Sequence, residues 1–119
     1  MLLDFWATWC TPCRAELPYV RKAYERFRQQ PFDVIGVSLD AFQRVPATRL
    51  AAFVQEQQMP WPQIYSEGPA IAATYGVSAI PAVFLFSGDT GAILASGYDL
   101  RDEALLQTID RHLKGAVRQ

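Results

Sequence analysis

Metal-binding side chains of the soft kind are scarce in this 119-residue chain, which has two cysteines and one histidine. A structural zinc site takes four such ligands, and His112 lies far along the chain from Cys10 and Cys13, so no metal site is expected. A stabilising disulfide framework is set aside for a similar reason. One bridge between cysteines three apart closes too short a loop to add much stability. An excess of charge of either sign is also missing. Eleven basic residues stand against twelve acidic ones, a net charge of −1, which supplies no attractive field for nucleic acid or an anionic membrane surface. Long apolar runs are absent too: Ala79 to Phe86 is the longest at eight residues and contains Pro81, whereas a membrane span needs roughly 20. Met1-Leu2-Leu3-Asp4-Phe5 carries no basic leader and no small-residue cleavage site, so it reads as a strand rather than a signal peptide. A chain that opens inside a strand is expected to lack upstream sequence, together with any targeting signal. There are no internal repeats or low-complexity segments.

Apolar residues, by contrast, make up half the chain, and fifteen residues are aromatic. That is enough to build a core without disulfide or metal staples. The length fits one domain spanning residues 1–119.

Leu2 to Ala7, interrupted only by Asp4, reads as a strand buried on both faces. From Cys10 to about Gln29, Leu17, Val20, Tyr24 and Phe27 recur at spacings of three and four, which predicts an amphipathic helix. Pro12 suits its first turn, where helix donors are unpaired anyway, and Pro18 is expected to kink it. Phe32 to Leu39 reads as a second buried strand ended by Asp40, followed by a helix from Ala47 to Gln58 with Leu50, Phe53 and Val54 inward. Met59-Pro60-Trp61-Pro62 breaks that helix. A short extended segment at Ile64 and Tyr65 and one or two helical turns from Pro69 to Tyr75, closed by Gly76, come next. Ala82 to Phe86 and Gly91 to Ser96 form a hairpin across Ser87-Gly88-Asp89-Thr90, and a last helix starts after Asp99 or Leu100 and ends near Lys114-Gly115. The early strands should be parallel and the late pair antiparallel, giving an α/β fold whose central mixed β-sheet is flanked by helices.

The chemistry concentrates at Cys10 and Cys13. At a strand-to-helix junction, unpaired N–H groups and the helix dipole favour a negative charge, so the Cys10 thiolate is stabilised, while Cys13, one turn on, is more buried. Dithiol redox chemistry follows from that arrangement. A peroxidase with a single attacking cysteine usually carries Thr or Ser three residues earlier, where Ala7 and Cys10 stand relative to the two cysteines. Trp6 and the other aromatics are read as mainly core, and His112 as a surface helix residue.

Leu3-Asp4-Phe5-Trp6-Ala7-Thr8-Trp9-Cys10-Thr11-Pro12-Cys13-Arg14 resembles the active-site segment of the thioredoxin superfamily. Its continuation, Ala15-Glu16-Leu17-Pro18, is similar to the TlpA/ResA branch of extracytoplasmic disulfide reductases. Tyr75 to Leu85 resembles the stretch bearing that fold's cis-proline, and Ser96-Gly97 the glycine before its final helix. The resemblance implies a thioredoxin-like fold and a protein-disulfide reductase. Cys10 would attack a partner disulfide and Cys13 would resolve the mixed disulfide. Asp4 would take up the Cys13 proton, directly or through water. Pro81 would be cis and face the cysteines, and the backbone of Ile80 would pair with an extended substrate segment. Trp9, Thr11, Pro12, Ile80, Pro81 and Gly97 would form the docking surface. Glu16 sits where the branch has a glutamate that can tune the site, although a solvated helix face is the plainer reading of it. No organic or metal cofactor is implied. The implied partners are protein disulfides or dithiols and an electron-donor redox protein, in the periplasm or another extracytoplasmic space, with the cytoplasm as the alternative. The rival functions are disulfide oxidase or isomerase, and a binding module without turnover.

Three departures accompany the resemblance. The branch often has Asn where Asp4 stands, and the lysine that thioredoxins carry near the end of the second strand is missing from Val37-Ser38-Leu39-Asp40. The family's N-terminal strands are also missing, which predicts a sheet edge open to pairing or swapping.

Overall fold

A computed structural model describes residues 1–117. Its elements are β1 (Leu2–Trp6), α1 (Thr11–Phe27), β2 (Val34–Ser38), a 3-10 turn at Asp40–Gln43, α2 (Ala47–Glu56), β3 (Gln63–Ile64), α3 (Gly68–Thr74), β4 (Ala82–Phe86), β5 (Ile93–Ser96), a 3-10 turn at Gly97–Leu100 and α4 (Asp102–Val117). The five strands form one sheet in the order β3-β2-β1-β4-β5. β1 is parallel to β2 and antiparallel to β4, and β4 and β5 are antiparallel as a hairpin requires.

The continuous apolar run of β1 is explained by its central place, since all five of its residues are buried. Its side chains alternate between two cores. Leu2 and Trp6 face a cluster with Leu17, Val20 and Phe27 of α1, Leu50 of α2, and Leu105 and Ile109 of α4. Leu3 and Phe5 face a second cluster with Ala72 of α3 and Val37. Helices therefore cover both faces, and strand alternation puts Asp4 on the α1 side, between Leu2 and Trp6.

Several boundaries move for physical reasons. Asp40 does not simply end β2; it is fully buried and opens a 3-10 turn. The segment expected at Ile64 and Tyr65 pairs over Gln63–Ile64 instead, because the Tyr65 carbonyl is taken by the Gly68 N–H in the turn into α3. β5 begins at Ile93 rather than Gly91, which has a φ of 75° and belongs to the turn. α4 starts at Asp102, after a turn that buries Leu100 and accepts the Thr108 hydroxyl on the Asp99 carbonyl. It also runs past Lys114-Gly115 to Val117, a glycine inside a helix costing only about 1 kcal/mol relative to alanine. The sheet edges are β3 and β5, so the edge beside β2 offers only two residues of strand.

Candidate active site

β1 feeds a short loop, Ala7 to Cys10, that delivers the first cysteine to the start of α1. Cys10 is the N-cap, in extended conformation, and its Sγ accepts the Cys13 N–H at 3.3 Å. The Arg14 N–H bonds the Cys10 carbonyl, as a helix start requires, and Pro12 lies in the first turn, where its missing donor is harmless. No acidic side chain occupies that turn, so the positive end of the helix dipole is left uncompensated at the sulfur. Cys10 and Cys13 are joined by a disulfide with Cα atoms 5.3 Å apart. Both are buried, Cys13 more deeply (2 % exposed against 6 %), in the order expected for an outer and an inner sulfur.

The segment before β4 closes the other side. The Ile80–Pro81 peptide is cis, and the Ile80 carbonyl oxygen lies 3.9 Å from Cys10 Sγ. The Pro81 carbonyl in turn accepts from the Arg101 guanidinium at 3.3 Å. Gly97 has a φ of 69°, a left-handed conformation that suits glycine. It follows Ser96, which pairs with Phe84, and so lies close in register to the strand that Pro81 leads into. Trp9 is half exposed beside the cysteines, and Thr11 and Pro12 are exposed on the first turn of α1. The structure thus gathers Trp9, Cys10, Thr11, Pro12, Cys13, Ile80 and Pro81 at one end of the sheet.

Asp4 lies deeper, on the sheet face that α1 covers. It is buried, and desolvation first, with the negative charge of Glu16 second, pushes its carboxyl up to about 7. A carboxyl poised there can exchange a proton at neutral pH. Glu16, read from charge patterning as a solvated helix-face residue, lies at the surface but makes a contact with the segment entering α4. It is half-buried, and its carboxylate accepts the Asp102 N–H at 3.0 Å, because the chain entering α4 docks against α1. Burial, and then Asp102, raise the carboxyl of Glu16 as well.

Residues missed in the sequence complete the site. The buried carboxylate of Asp40 accepts from the amide and hydroxyl of Thr8 and from the hydroxyl of Ser38. This pins the loop that carries Trp9 and Cys10 to the end of β2. The sequence signal was a serine two residues before an acid, a local turn pattern that leaves the long-range partner unspecified. A groove of about 520 Å³ runs beside the cysteines between the Asp40 turn and α3, lined by Trp9, Leu39, Phe42, Ala72, Val77 and Ile80. Phe42 stands in it 73 % exposed.

Comparison with known proteins gives a consistent set of relatives. Residues 1–95 match the AhpC/TSA family. A thiol-disulfide oxidoreductase ResA of Bacillus thuringiensis subsp. konkukian is 30% identical over 116 residues, covering 96% of this chain and 61% of the relative. A second ResA, from Bacillus thuringiensis strain Al Hakam, is 34% identical over 91 residues, 75% of this chain and 49% of the relative. The chain therefore spans less than two thirds of the length of these relatives. Among solved structures, the thioredoxin domain of a thiol-disulfide oxidoreductase from Bacteroides vulgatus superposes with a TM-score of 0.81 at 26% identity, covering 94% of this chain and 77% of that one. A thiol:disulfide interchange protein from Bacteroides sp. gives 0.81 at 27%, covering 97% and 73%. The fold is thioredoxin-like.

Proposed function

The chain belongs to the AhpC/TSA family of the thioredoxin superfamily, and from that membership we propose that it is a thiol-disulfide oxidoreductase that reduces protein disulfides through Cys10 and Cys13. The observation that carries this reading is the Cys10 sulfur capping α1, bonded to Cys13 and lying against the Ile80 carbonyl.

In the reduced chain, the Cys10 thiolate attacks one sulfur of a substrate disulfide. That bond breaks, the released substrate sulfur takes up a proton, and a mixed disulfide joins Cys10 to the substrate. Asp4 then accepts the Cys13 proton, directly or through water, and the Cys13 sulfur attacks Cys10. The second substrate thiol leaves and the Cys10–Cys13 disulfide forms, so two electrons have passed to the substrate. A redox protein with a dithiol restores the chain. Trp9, Thr11, Pro12, Ile80, Pro81 and Gly97 form the docking surface, with the Ile80 backbone pairing an extended substrate segment. Glu16 bears on Asp4 by its charge.

Residues 1–119 are read as one domain. Resemblance to the TlpA/ResA branch supports an extracytoplasmic site of action, and among the described residues no helix is long and apolar enough to cross a membrane. The test is catalysed reduction of insulin with a dithiol donor. Full activity in Cys10→Ser overturns the proposal.

The uncompensated helix terminus favours a second reading, in which the same chemistry runs as an oxidant or isomerase, because a stabilised thiolate makes the dithiol form easier to reach. Equilibration with glutathione separates the two, with about 30 mV corresponding to ~1.4 kcal/mol.

A further inference from the structure

Two buried side-chain donors have no partner among the described residues, Trp61 Nε1 and Gln63 Nε2. The second lies in a revealing place. Asp4 pairs with Gly36 across β1 and β2, and Gly36 pairs with Gln63 across β2 and β3, so the three form one row across the sheet. Side chains in such a row of parallel strands stand on the same face. Gly36 contributes none, and the Gln63 amide folds into the space it leaves, where a Cβ on residue 36 would collide with all three terminal atoms of that amide. Trp6, two residues from Asp4 on the same face, donates its indole N–H to Gln63 Oε1 at 2.8 Å. This bond fixes the amide's orientation: the oxygen is used, and Nε2 is left free.

Neighbouring strands lie about 4.8 Å apart, so an amide over Gly36 is about one strand spacing from the Asp4 backbone; no hydrogen bond joins Nε2 to Asp4 in this structure, and a link to the carboxylate would need a small side-chain rotation or a single bridging water. An ionised carboxylate only accepts hydrogen bonds, and a buried N–H without an acceptor is destabilising. Each group supplies what the other lacks. We propose that Gln63 is a positioning residue for proton transfer, its Nε2–H held for the Asp4 carboxylate, directly or through one water, when Asp4 ionises. The role rests on the reading of Asp4 as proton acceptor for Cys13.

The other groups bearing on Asp4 are few. Glu16, from α1, opposes its ionisation. Arg101 and Asp102, from the segment entering α4, act on Glu16. The strand neighbours Gly36 and Val83 are uncharged, and Cys13, on the α1 side, is held in the disulfide. Among the described residues, Gln63 is thus the candidate donor to the ionised form from the β3 side.

The test is the Asp4 carboxyl titration, followed by carbon NMR on the oxidised chain in two variants of opposite sign. Gln63→Met, matched in length but without a donor, is expected to raise the midpoint by about half to one pH unit. Gln63→Lys, which keeps N–H donors and adds a positive charge, is expected to lower it. General loosening of the site would move both variants the same way. A midpoint unmoved in Gln63→Met, or shifted in one direction by both substitutions, overturns the proposal. If Gln63→Met fails to fold, Gln63→Leu takes its place with the same expected direction. Whether Asp4 accepts the Cys13 proton is answered separately by the pH profile of turnover in Asp4→Asn, and failure there leaves the titration result standing.

Discussion

The amide and the hydroxyl of Thr8 both donate to the carboxylate of Asp40, at 3.0 Å and 2.6 Å, across 32 positions of sequence. With the Ser38 hydroxyl as a third donor, this buried acid is satisfied without a cationic partner among the described residues. Asp40→Ala leaves three donors without their acceptor. It is expected to lower stability by about 3 kcal/mol, read as a shift of the urea midpoint, and to slow turnover in the fraction that stays folded. An unchanged midpoint would show that the loop before Cys10 is held by other means.

Removing one sulfur at a time should divide the reaction. Cys10→Ser is expected to abolish disulfide reduction. Cys13→Ser should accumulate a mixed disulfide through Cys10, visible by mass spectrometry and released by dithiothreitol. Adducts appearing at Cys13 in Cys10→Ser, and none in Cys13→Ser, would reverse the two roles.

Stability of the oxidised chain should fall as pH rises from about 4 to about 7. The Asp4 carboxyl titrates near 7 in the folded chain and near 3.8 when exposed, so between those values the folded form holds a proton that the unfolded form has released. The unfolded state then binds fewer protons, which gives the negative slope. Above about pH 7 this contribution is constant. Asp4→Asn should flatten the slope and be more stable at pH 8 by roughly 4 kcal/mol at most, measured by urea unfolding across the range. A wild-type chain more stable at pH 8 than at pH 5, with the same profile in Asp4→Asn, would contradict this.

Phe42 exposes a large apolar face beside the cysteines and supports little of the core. Phe42→Ala should therefore leave the thermal midpoint nearly unchanged while raising KM for a protein disulfide about five- to tenfold, the effect of losing roughly 1 kcal/mol of apolar contact. Reduction of a small disulfide such as oxidised glutathione should be unaffected. Equal losses on both substrates would remove Phe42 from docking.

Much of this was legible because it is periodic or local. The spacing of Leu17, Val20 and Phe27 gives the buried stripe of α1, and the uninterrupted run from Leu2 to Trp6 gives a central strand. Cys10 at a helix start could be read from its neighbours, whereas the cis bond before Pro81 came from resemblance, since the residues alone favour trans. What escaped depends on pairing across the sheet. The partner of Asp40 is Thr8, the space Gln63 occupies exists because residue 36 is glycine, and Glu16 accepts a bond from the segment entering α4. Phe42 could not be told from a core aromatic until its turn was placed beside α3.

The sulfur that caps α1 is also the atom that changes charge in the proposed cycle. A thiolate accepts the Cys13 N–H more strongly than a disulfide sulfur does, so the first turn of the helix is held tighter in the reduced chain. Folding and electron affinity are then linked through one bond. Substitutions that fray the first turn without touching either cysteine must weaken the reduced form more than the oxidised one, and so lower the tendency of the pair to take up electrons. Thr11 and Arg14 thereby become dials on redox poise, readable in the amide exchange rates at the start of the helix.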